Sequence, residues 1–201
     1  MTSRDLSDEE KQDFWDLANI FMAIANEQID RYEVGYVSGA FLYGCARYNA
    51  FAMQCGGAKP GEIEHRTKTY LIDCYMNELR RNLGEALIKS DAADPAAHWS
   101  TFDLLDDFTD WTGDELWEFR EVADLFVNAA NDQTSAARVS RISAAFMHAC
   151  ARFNMYELQL GGEKPHLIDE AQLGRYASCY ESLIILHMRD QLVQAEDRAP
   201  R

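Results

Sequence analysis

The sequence is short of positive charge and has no long hydrophobic run. Its 201 residues contain 19 Lys and Arg against 34 Asp and Glu, a formal net charge of −15 at pH 7. Proteins that bind a nucleic-acid backbone neutralise several phosphates with a basic patch, so we expect no direct nucleic-acid binding. The longest uninterrupted apolar stretch, Ile20 to Ala25, is far shorter than the roughly 20 residues that cross a bilayer. We therefore expect no membrane-spanning helix.

Catalytic and metal-binding motifs are also missing. The chain has no G-x-S-x-G, P-loop, dinucleotide fingerprint or H-E-x-x-H string. Two Glu-x-x-His strings, Glu62 to His65 and Glu163 to His166, have the spacing of helical di-iron ligands. The second string straddles Pro165, however, where the sequence predicts a turn. We expect no metal, no cofactor and no enzymatic activity.

The cysteines and the first residues of the chain bear on its compartment. The five cysteines, at 45, 55, 74, 150 and 179, show no C-x-x-C spacing and are odd in number, which favours reduced thiols that act as small apolar residues. The first dozen residues are acidic and lack the basic-then-apolar pattern of an export signal. Both features predict a cytoplasmic protein.

The sequence contains a duplication. Residues 13–88 align without gaps with residues 118–193, each residue matching the one 105 positions later. The matches cluster in Phe14–Gln28 with Phe119–Gln133, in Cys45–Asn49 with Cys150–Asn154, and in the Gly-Gly-x-Lys-Pro strings at 56–60 and 161–165. The sequence therefore predicts two tandem repeats.

Each repeat has the periodicity of three helices. Apolar residues recur every three or four positions in 14–25, 34–55 and 63–79, a pattern typical of helices that bury one face. The string Ser7-x-x-Glu10 predicts a capping box at the start of the first helix. Glycines 56 and 57 before Pro60 predict a tight turn between the second and third helices.

We expect an all-α protein, a tandem duplication of a three-helix unit packed as a six-helix bundle with pseudo-two-fold symmetry. Three helices of this length can just close a core of their own, and the two units would then pack their remaining apolar seams together. The predicted boundaries are 1–88 for the first repeat, 89–117 for an acidic, aromatic linker with short helices, 118–195 for the second repeat and 196–201 for a disordered tail. Small residues mark the face of closest packing: Ala40, Gly44, Ala145 and Ala149.

Arg47 and Arg152 occupy matching positions in the middle of each second helix, in apolar surroundings. A buried guanidinium needs a partner, and we predict a structural clamp in which Arg47 meets Glu27 or nearby amides and Arg152 meets Asp132. An anionic ligand on the arginines is the alternative. Asn49 and Asn154 are predicted to make buried hydrogen bonds to backbone groups at a helix junction. The complete predicted clamp is Asn26, Glu27, Arg47, Asn49, Asn131, Asp132, Arg152 and Asn154.

The most acidic segment runs from Asp103 to Asp124 and holds nine acids with only Arg120 opposing them. Repulsion between like charges keeps such a segment at the surface unless a basic partner covers it. The predicted partner-binding residues are Asp103, Asp106, Asp107, Asp110, Asp114 and Glu115.

Two stretches of the first repeat resemble a known family. The pattern F-x-x-x-A-x-x-F-x-x-x-A-N-x-Q from Phe14 to Gln28, followed by A-F-L-Y-G-C-A-R-Y-N-A-F from Ala40 to Phe51, is similar to a small helical bacterial family known only as a domain of unknown function. The resemblance implies an all-helical bacterial protein and carries over no activity or cofactor.

Three functions are open at this point. The leading hypothesis is a non-enzymatic protein-protein interaction or regulatory factor of the bacterial cytoplasm that binds a partner with a basic surface, with homo-oligomers as a further option. The first alternative is an acidic nucleic-acid mimic that inhibits a DNA- or RNA-binding protein. The second is a small-molecule binder or enzyme with a pocket between the repeats, lined by Tyr43, Tyr48, Tyr75, His148, Arg152 and Tyr180.

Overall fold

The structure is a computed structural model that describes residues 7–55, 60–89, 111–160 and 168–197. The helices are α1 (Asp8–Gln28), α2 (Val34–Cys55), α3 (Pro60–Lys89), α4 (Gly113–Asp132), α5 (Val139–Leu160) and α6 (Glu170–Asp197), with a 3-10 turn at Gln133–Ser135. The described residues contain no strand, and the predicted all-α bundle of six helices is confirmed. Among these helices, none combines the length and apolarity that spanning a bilayer requires.

α1 and α4 begin with the same capping device. Ser7 Oγ accepts from the Glu10 amide at 3.1 Å, and the Glu10 carboxylate accepts from the Ser7 amide at 2.9 Å. Thr112 and Glu115 repeat this exchange at 3.3 and 2.7 Å. Each box satisfies amides that the first helical turn leaves unpaired. Because the two boxes are also 105 positions apart, the duplication reaches back beyond the stretch in which the sequences align clearly.

Two predicted boundaries differ from the structure. Residues 113–117 form the first turn of α4 instead of belonging to the linker, and residues 196–197 are helical rather than part of a tail. The rest of the predicted linker, 90–110, and residues 198–201 lie outside the described residues. Where the linker ends, Trp111 stacks on Tyr36 with ring centroids 5.8 Å apart, so this end of the segment packs on the body of the protein.

The helices pack mainly against helices of the other repeat. α1 lies along α5, α2 contacts α4, α5 and α6, and α3 contacts α5 and α6, whereas α1, α2 and α3 make few contacts with one another. The prediction that three helices close a core of their own is therefore wrong. α2 is buried on almost every side, and its own repeat does not supply enough neighbours to cover it.

Paired aromatic stacks in the core show that each repeat packs against the other. Phe21 of α1 stacks on Phe146 of α5 with ring centroids 4.3 Å apart, and Phe126 of α4 stacks on Phe41 of α2 at 4.2 Å. The four rings are fully buried, and the second stack is the first with the repeats interchanged. Pseudo-two-fold symmetry stays a prediction, which these reciprocal contacts support.

α2 approaches α4 most closely at Gly44. A Cβ at this position would lie 2.9 Å from the carbonyl oxygen of Ala123, closer than side chains come to a backbone oxygen. The matching residue in α5 is Ala149, which is buried and does carry a Cβ. The small-residue face of the second helices therefore lies between the repeats, and the two halves pack at slightly different spacing.

Candidate functional site

A hydrogen-bonded polar network lies in the middle of this apolar core. Asn49 of α2 donates to the hydroxyl of Tyr180 in α6 and accepts from the hydroxyl of Ser143 in α5. All three residues are buried. Asn154 of α5 bonds to the matching residues of the first repeat, but its amide has the opposite orientation. The Tyr75 hydroxyl of α3 donates to the side-chain oxygen of Asn154 at 2.8 Å, and the side-chain nitrogen of Asn154 donates to the Ser38 hydroxyl of α2. The two asparagines thus bond to side chains of the opposite repeat.

Two cysteines border the network. Cys45 accepts from the Asn49 amide at 3.4 Å, and the Cys150 thiol donates to the side-chain oxygen of Asn154 at 3.2 Å. Burial raises the pKa of the Cys150 thiol and of the Tyr180 phenol well above their ordinary values. Both groups are therefore neutral at pH 7, which suits structural hydrogen bonds and not nucleophilic chemistry.

The predicted arginine clamp has the wrong partners. Arg47 pairs with Asp124 of α4, and Glu27 is exposed. The cause is the packing order, since α2 lies against α4 of the other repeat and makes few contacts with its own α1. Arg152 is exposed, and none of the residues that the structure describes forms an ion pair with it. The remaining members near the helix ends are exposed as well: Asn26, Asn131 and Asp132.

The duplication explains why only one arginine is paired. In α1 the position that matches Asp124 is Asn19, which carries no charge. Arg152 therefore has no carboxylate at the place where Arg47 finds one.

His148 of α5 lies at a junction of three helices. Its side chain is 2% exposed, with Nδ1 2.8 Å from a carboxylate oxygen of Glu78 and also in contact with Arg81, both of α3. The imidazole packs edge-to-face on Trp15 of α1, with ring centroids 5.0 Å apart. Its Nε2 is buried and has no hydrogen-bond partner among the described residues. The long sequence separation of these residues hides this cluster from periodicity analysis.

A second buried histidine, His187 of α6, packs edge-to-face on Tyr43 of α2 at 4.5 Å. Burial, and then the charge of Arg47, lower the pKa of His187 to about 4, against the opposing effect of a hydrogen bond to the Tyr43 backbone. This imidazole is therefore neutral at pH 7. Within the described ranges, no group of three His, Cys, Asp or Glu side chains could hold a metal ion.

The structure gives the surroundings of several residues predicted to line a pocket between the repeats. Tyr75 and Tyr180 pack on each other with ring centroids 4.6 Å apart, His148 packs on Trp15 and Arg152 is exposed. A ligand between the repeats stays a prediction.

Of the predicted partner-binding acids, only two belong to the described residues. Asp114 and Glu115 are exposed in the first turn of α4, and Glu115 also forms the capping box. Hydrogen bonds from the backbone and side chain of Thr112 lower the pKa of its carboxyl. The other four acids, Asp103, Asp106, Asp107 and Asp110, lie outside the described residues.

α4 carries an exposed face on which acids alternate with large apolar residues. Asp114, Trp117, Glu118, Glu121 and Leu125 follow one another at helical spacing, and all five are exposed. Trp117 is 65% exposed and Leu125 is 42% exposed. We call these five residues the α4 face. The sequence prediction missed Trp117 because it placed residues before 118 in the linker, although helical spacing joins Trp117 to Glu118, Glu121 and Leu125.

In α1, by contrast, acids near the start of the helix pair with an arginine. Arg141 of α5 bonds to Glu10 at 3.3 Å and to Asp13 at 3.2 Å. The position in α2 that matches Arg141 is Tyr36, so no guanidinium is supplied to α4 from there. Glu118 instead accepts a hydrogen bond from the Tyr32 phenol at 3.1 Å. The acids of the α4 face thus keep charge that Glu10 and Asp13 of α1 share with an arginine.

Comparison with known proteins places both repeats in one family. A family model described as "Protein of unknown function (DUF3144)" matches residues 14–89 and again residues 119–192. No curated protein and no solved structure matches the chain.

Proposed function

We propose that this chain, which belongs to the DUF3144 family and carries its domain twice, is a non-enzymatic binding protein of the bacterial cytoplasm whose α4 face docks a basic segment of another protein. The family has no known function, so the proposal depends on the α4 face itself. The observation that carries it is Trp117, an indole that is 65% exposed among the carboxylates of Asp114, Glu118 and Glu121.

The composition of the α4 face matches a basic partner. Tryptophan is among the residues that most often carry the binding energy of a protein interface, and its ring binds Lys and Arg side chains by cation–π contact. The neighbouring carboxylates can pair with the same cations. Trp117 would thus supply apolar contact, and Glu118 and Glu121 would select positive charge.

The charge of the whole chain favours the same kind of partner. A formal net charge of −15 attracts a basic protein over a distance of about one Debye length, which is near 8 Å at physiological ionic strength. Such steering accelerates association and suppresses acidic partners. Binding should therefore weaken as salt is added.

An enzymatic role has less support. The thiol of Cys150 and the phenols of Tyr75 and Tyr180 have pKa values raised by burial, and a nucleophile must be able to lose its proton near the operating pH. Tyr75 and Cys150 already donate hydrogen bonds to Asn154, and Tyr180 accepts one from Asn49.

Affinity capture from the native host followed by mass spectrometry tests the proposal. We expect the wild-type chain to recover a basic partner that the double variant Trp117→Ala, Glu121→Gln recovers at least tenfold less well. The matched control is Asp16→Asn, which removes one carboxylate at the position of α1 that corresponds to Glu121 and should leave recovery unchanged.

Two outcomes would change the interpretation. Equal recovery with wild type and the double variant would exclude the α4 face as the binding surface. If the recovered partner binds DNA or RNA, and added duplex displaces it, the acids act as a nucleic-acid mimic, the first alternative drawn from the sequence.

A further inference from the structure

Amides and aromatic rings buried in the core find partners across the boundary between the repeats. Asn49 bonds to Tyr180 and Ser143 of the second repeat, and Phe21 stacks on Phe146 of the second repeat. A first repeat standing alone would leave these amide and ring surfaces uncovered. Buried polar groups without partners and exposed apolar faces are both unfavourable, so each repeat needs an occupant for this face.

The face that each repeat presents is also self-complementary. At six matching positions of this face the two repeats carry the same residue, and the contacts cross between the repeats. The identical pairs are Phe21 and Phe126, Ser38 and Ser143, Phe41 and Phe146, Cys45 and Cys150, Asn49 and Asn154, and Tyr75 and Tyr180. This is the contact pattern of a two-fold interface between two equal subunits.

We propose that the inter-repeat face is a recognition surface whose specific partner is another copy of the same repeat. The cross-repeat bonds described above join residues of the helices, so the two repeats should recognise each other as separate polypeptides. Halves of different molecules should also be able to exchange. This inference is independent of the α4 face, which lies on the outside of the bundle.

Charged contacts should decide which repeats pair best. Arg47 meets Asp124, and Arg141 meets Glu10, only because the two repeats differ at these positions. In a pair of two first repeats, Arg47 would face Asn19, and the carboxylate of Glu10 would face a tyrosine. Pairing of a first with a second repeat should therefore be favoured over pairing of two first repeats.

The test uses the full chain with a protease site inserted between residues 90 and 110 and cleaved after folding. We expect the two halves to elute together at the mass of the uncut chain and to keep its helical circular dichroism. The melting temperature should become dependent on protein concentration, because unfolding now separates two molecules. Halves that elute separately and remain helical would overturn the proposal, and so would a cleaved chain that unfolds at micromolar concentration.

A pair of variants tests whether the described contacts are responsible. In the cleaved chain, Tyr180→Phe removes one hydroxyl and leaves the Asn49 amide without its acceptor in the other half, so the dissociation constant of the halves should rise about tenfold. Tyr156→Phe makes the same chemical change at an exposed position of α5 and should leave the constant unchanged. An equal effect of both variants, or no effect of Tyr180→Phe, would contradict the proposed interface.

Exchange gives a further readout. Two preparations of cleaved chain, one labelled with heavy isotopes, should form hybrid pairs of first and second halves when they are mixed and examined by native mass spectrometry. A mixture in which no hybrids form after dilution below the dissociation constant and reconcentration would rule out exchange. Pairs of two first halves that outnumber hybrid pairs would contradict the role given to the charged contacts.

Discussion

α1 and α4 hold matching places in the two repeats and are alike in their caps and buried sides, but their outer faces differ. Both helices begin with a capping box, and both bury a phenylalanine that stacks on the other repeat. On the outside, α1 pairs Glu10 with an arginine, whereas the α4 face presents Trp117 among carboxylates for which the described residues supply no arginine. The difference indicates that the shared core restrains the inner face of both helices, while the outer face of α4 was free to acquire a separate role.

The largest expected effect tests whether the two inner faces are equivalent. Phe21→Ala and Phe126→Ala each remove a fully buried ring from a stack and should each lower the free energy of unfolding by about 3–5 kcal/mol. Urea denaturation measures both. If one variant were several-fold less destabilising than the other, the two stacks would not be equivalent. The inner faces of α1 and α4 would then differ as well as their outer faces.

The two buried histidines described above, His148 and His187, both belong to the second repeat, and pH tests the environment of His187. Its pKa is about 4 in the folded state and near 6.5 when unfolded, so between these values the unfolded state binds more protons. Stability should therefore be complete above pH 6.5 and fall by about 3 kcal/mol as the pH drops to 4.

Replacement by asparagine, the residue at the matching position 82 of the first repeat, provides the control. The variant His187→Asn should lose most of this dependence in urea titrations at pH 4 to 7. If the slope of stability against pH were the same in this variant as in the wild type, groups other than His187 would cause the pH dependence.

Spacing between the helices can be tested at Gly44, where the halves differ. Gly44→Ala places a Cβ 2.9 Å from the Ala123 carbonyl oxygen, and overpacking of this kind should cost about 1–3 kcal/mol. The matched control is Gly84→Ala in α3, whose Cβ would meet nothing within 4 Å and should stabilise the helix by about 0.5–1 kcal/mol. Thermal unfolding measures the stability of both variants. If the two substitutions changed stability in the same direction, the result would argue against a close approach at Gly44.

The smallest expected effect concerns the arginines. Arg47→Ala should cost no more than about 1 kcal/mol, because both members of its ion pair are nearly half exposed. Arg152→Ala, which removes an arginine with no described ionic partner, should cost less. A larger loss for Arg152→Ala in the same denaturation series would reverse the order that the contacts predict.

Much of the helical structure could be predicted from local patterns. The three- and four-residue periodicity located all six helices, and the Ser7-x-x-Glu10 string located the start of α1. The start of α4 was missed because the run of aspartates before it suggested a linker, although Thr112 and Glu115 repeat the same capping signal. A comparison of the two capping strings would therefore have been enough to locate the start of α4.

The partners of the polar residues could not be predicted in the same way. Choosing Glu27 for Arg47 assumed that neighbouring helices in the chain are neighbours in space. The structure instead places α2 against α4, 77 residues away for the Arg47 to Asp124 contact. No periodicity within one helix carries information about which of several similar apolar faces it will meet.

The amino-acid sequence alone determined the helices, their caps, the duplication and the acidic charge, because each depends on residues close together in the chain or on composition. Only the tertiary structure decided that the repeats share one core, that Asn49 and Asn154 bond across it, and that Trp117 remains outside. The physical reason is that helices with similar apolar stripes can pack in several orders. In the order observed, α2 and α5 pack against helices of the other repeat, and the side-chain amides of Asn49 and Asn154 find partners there.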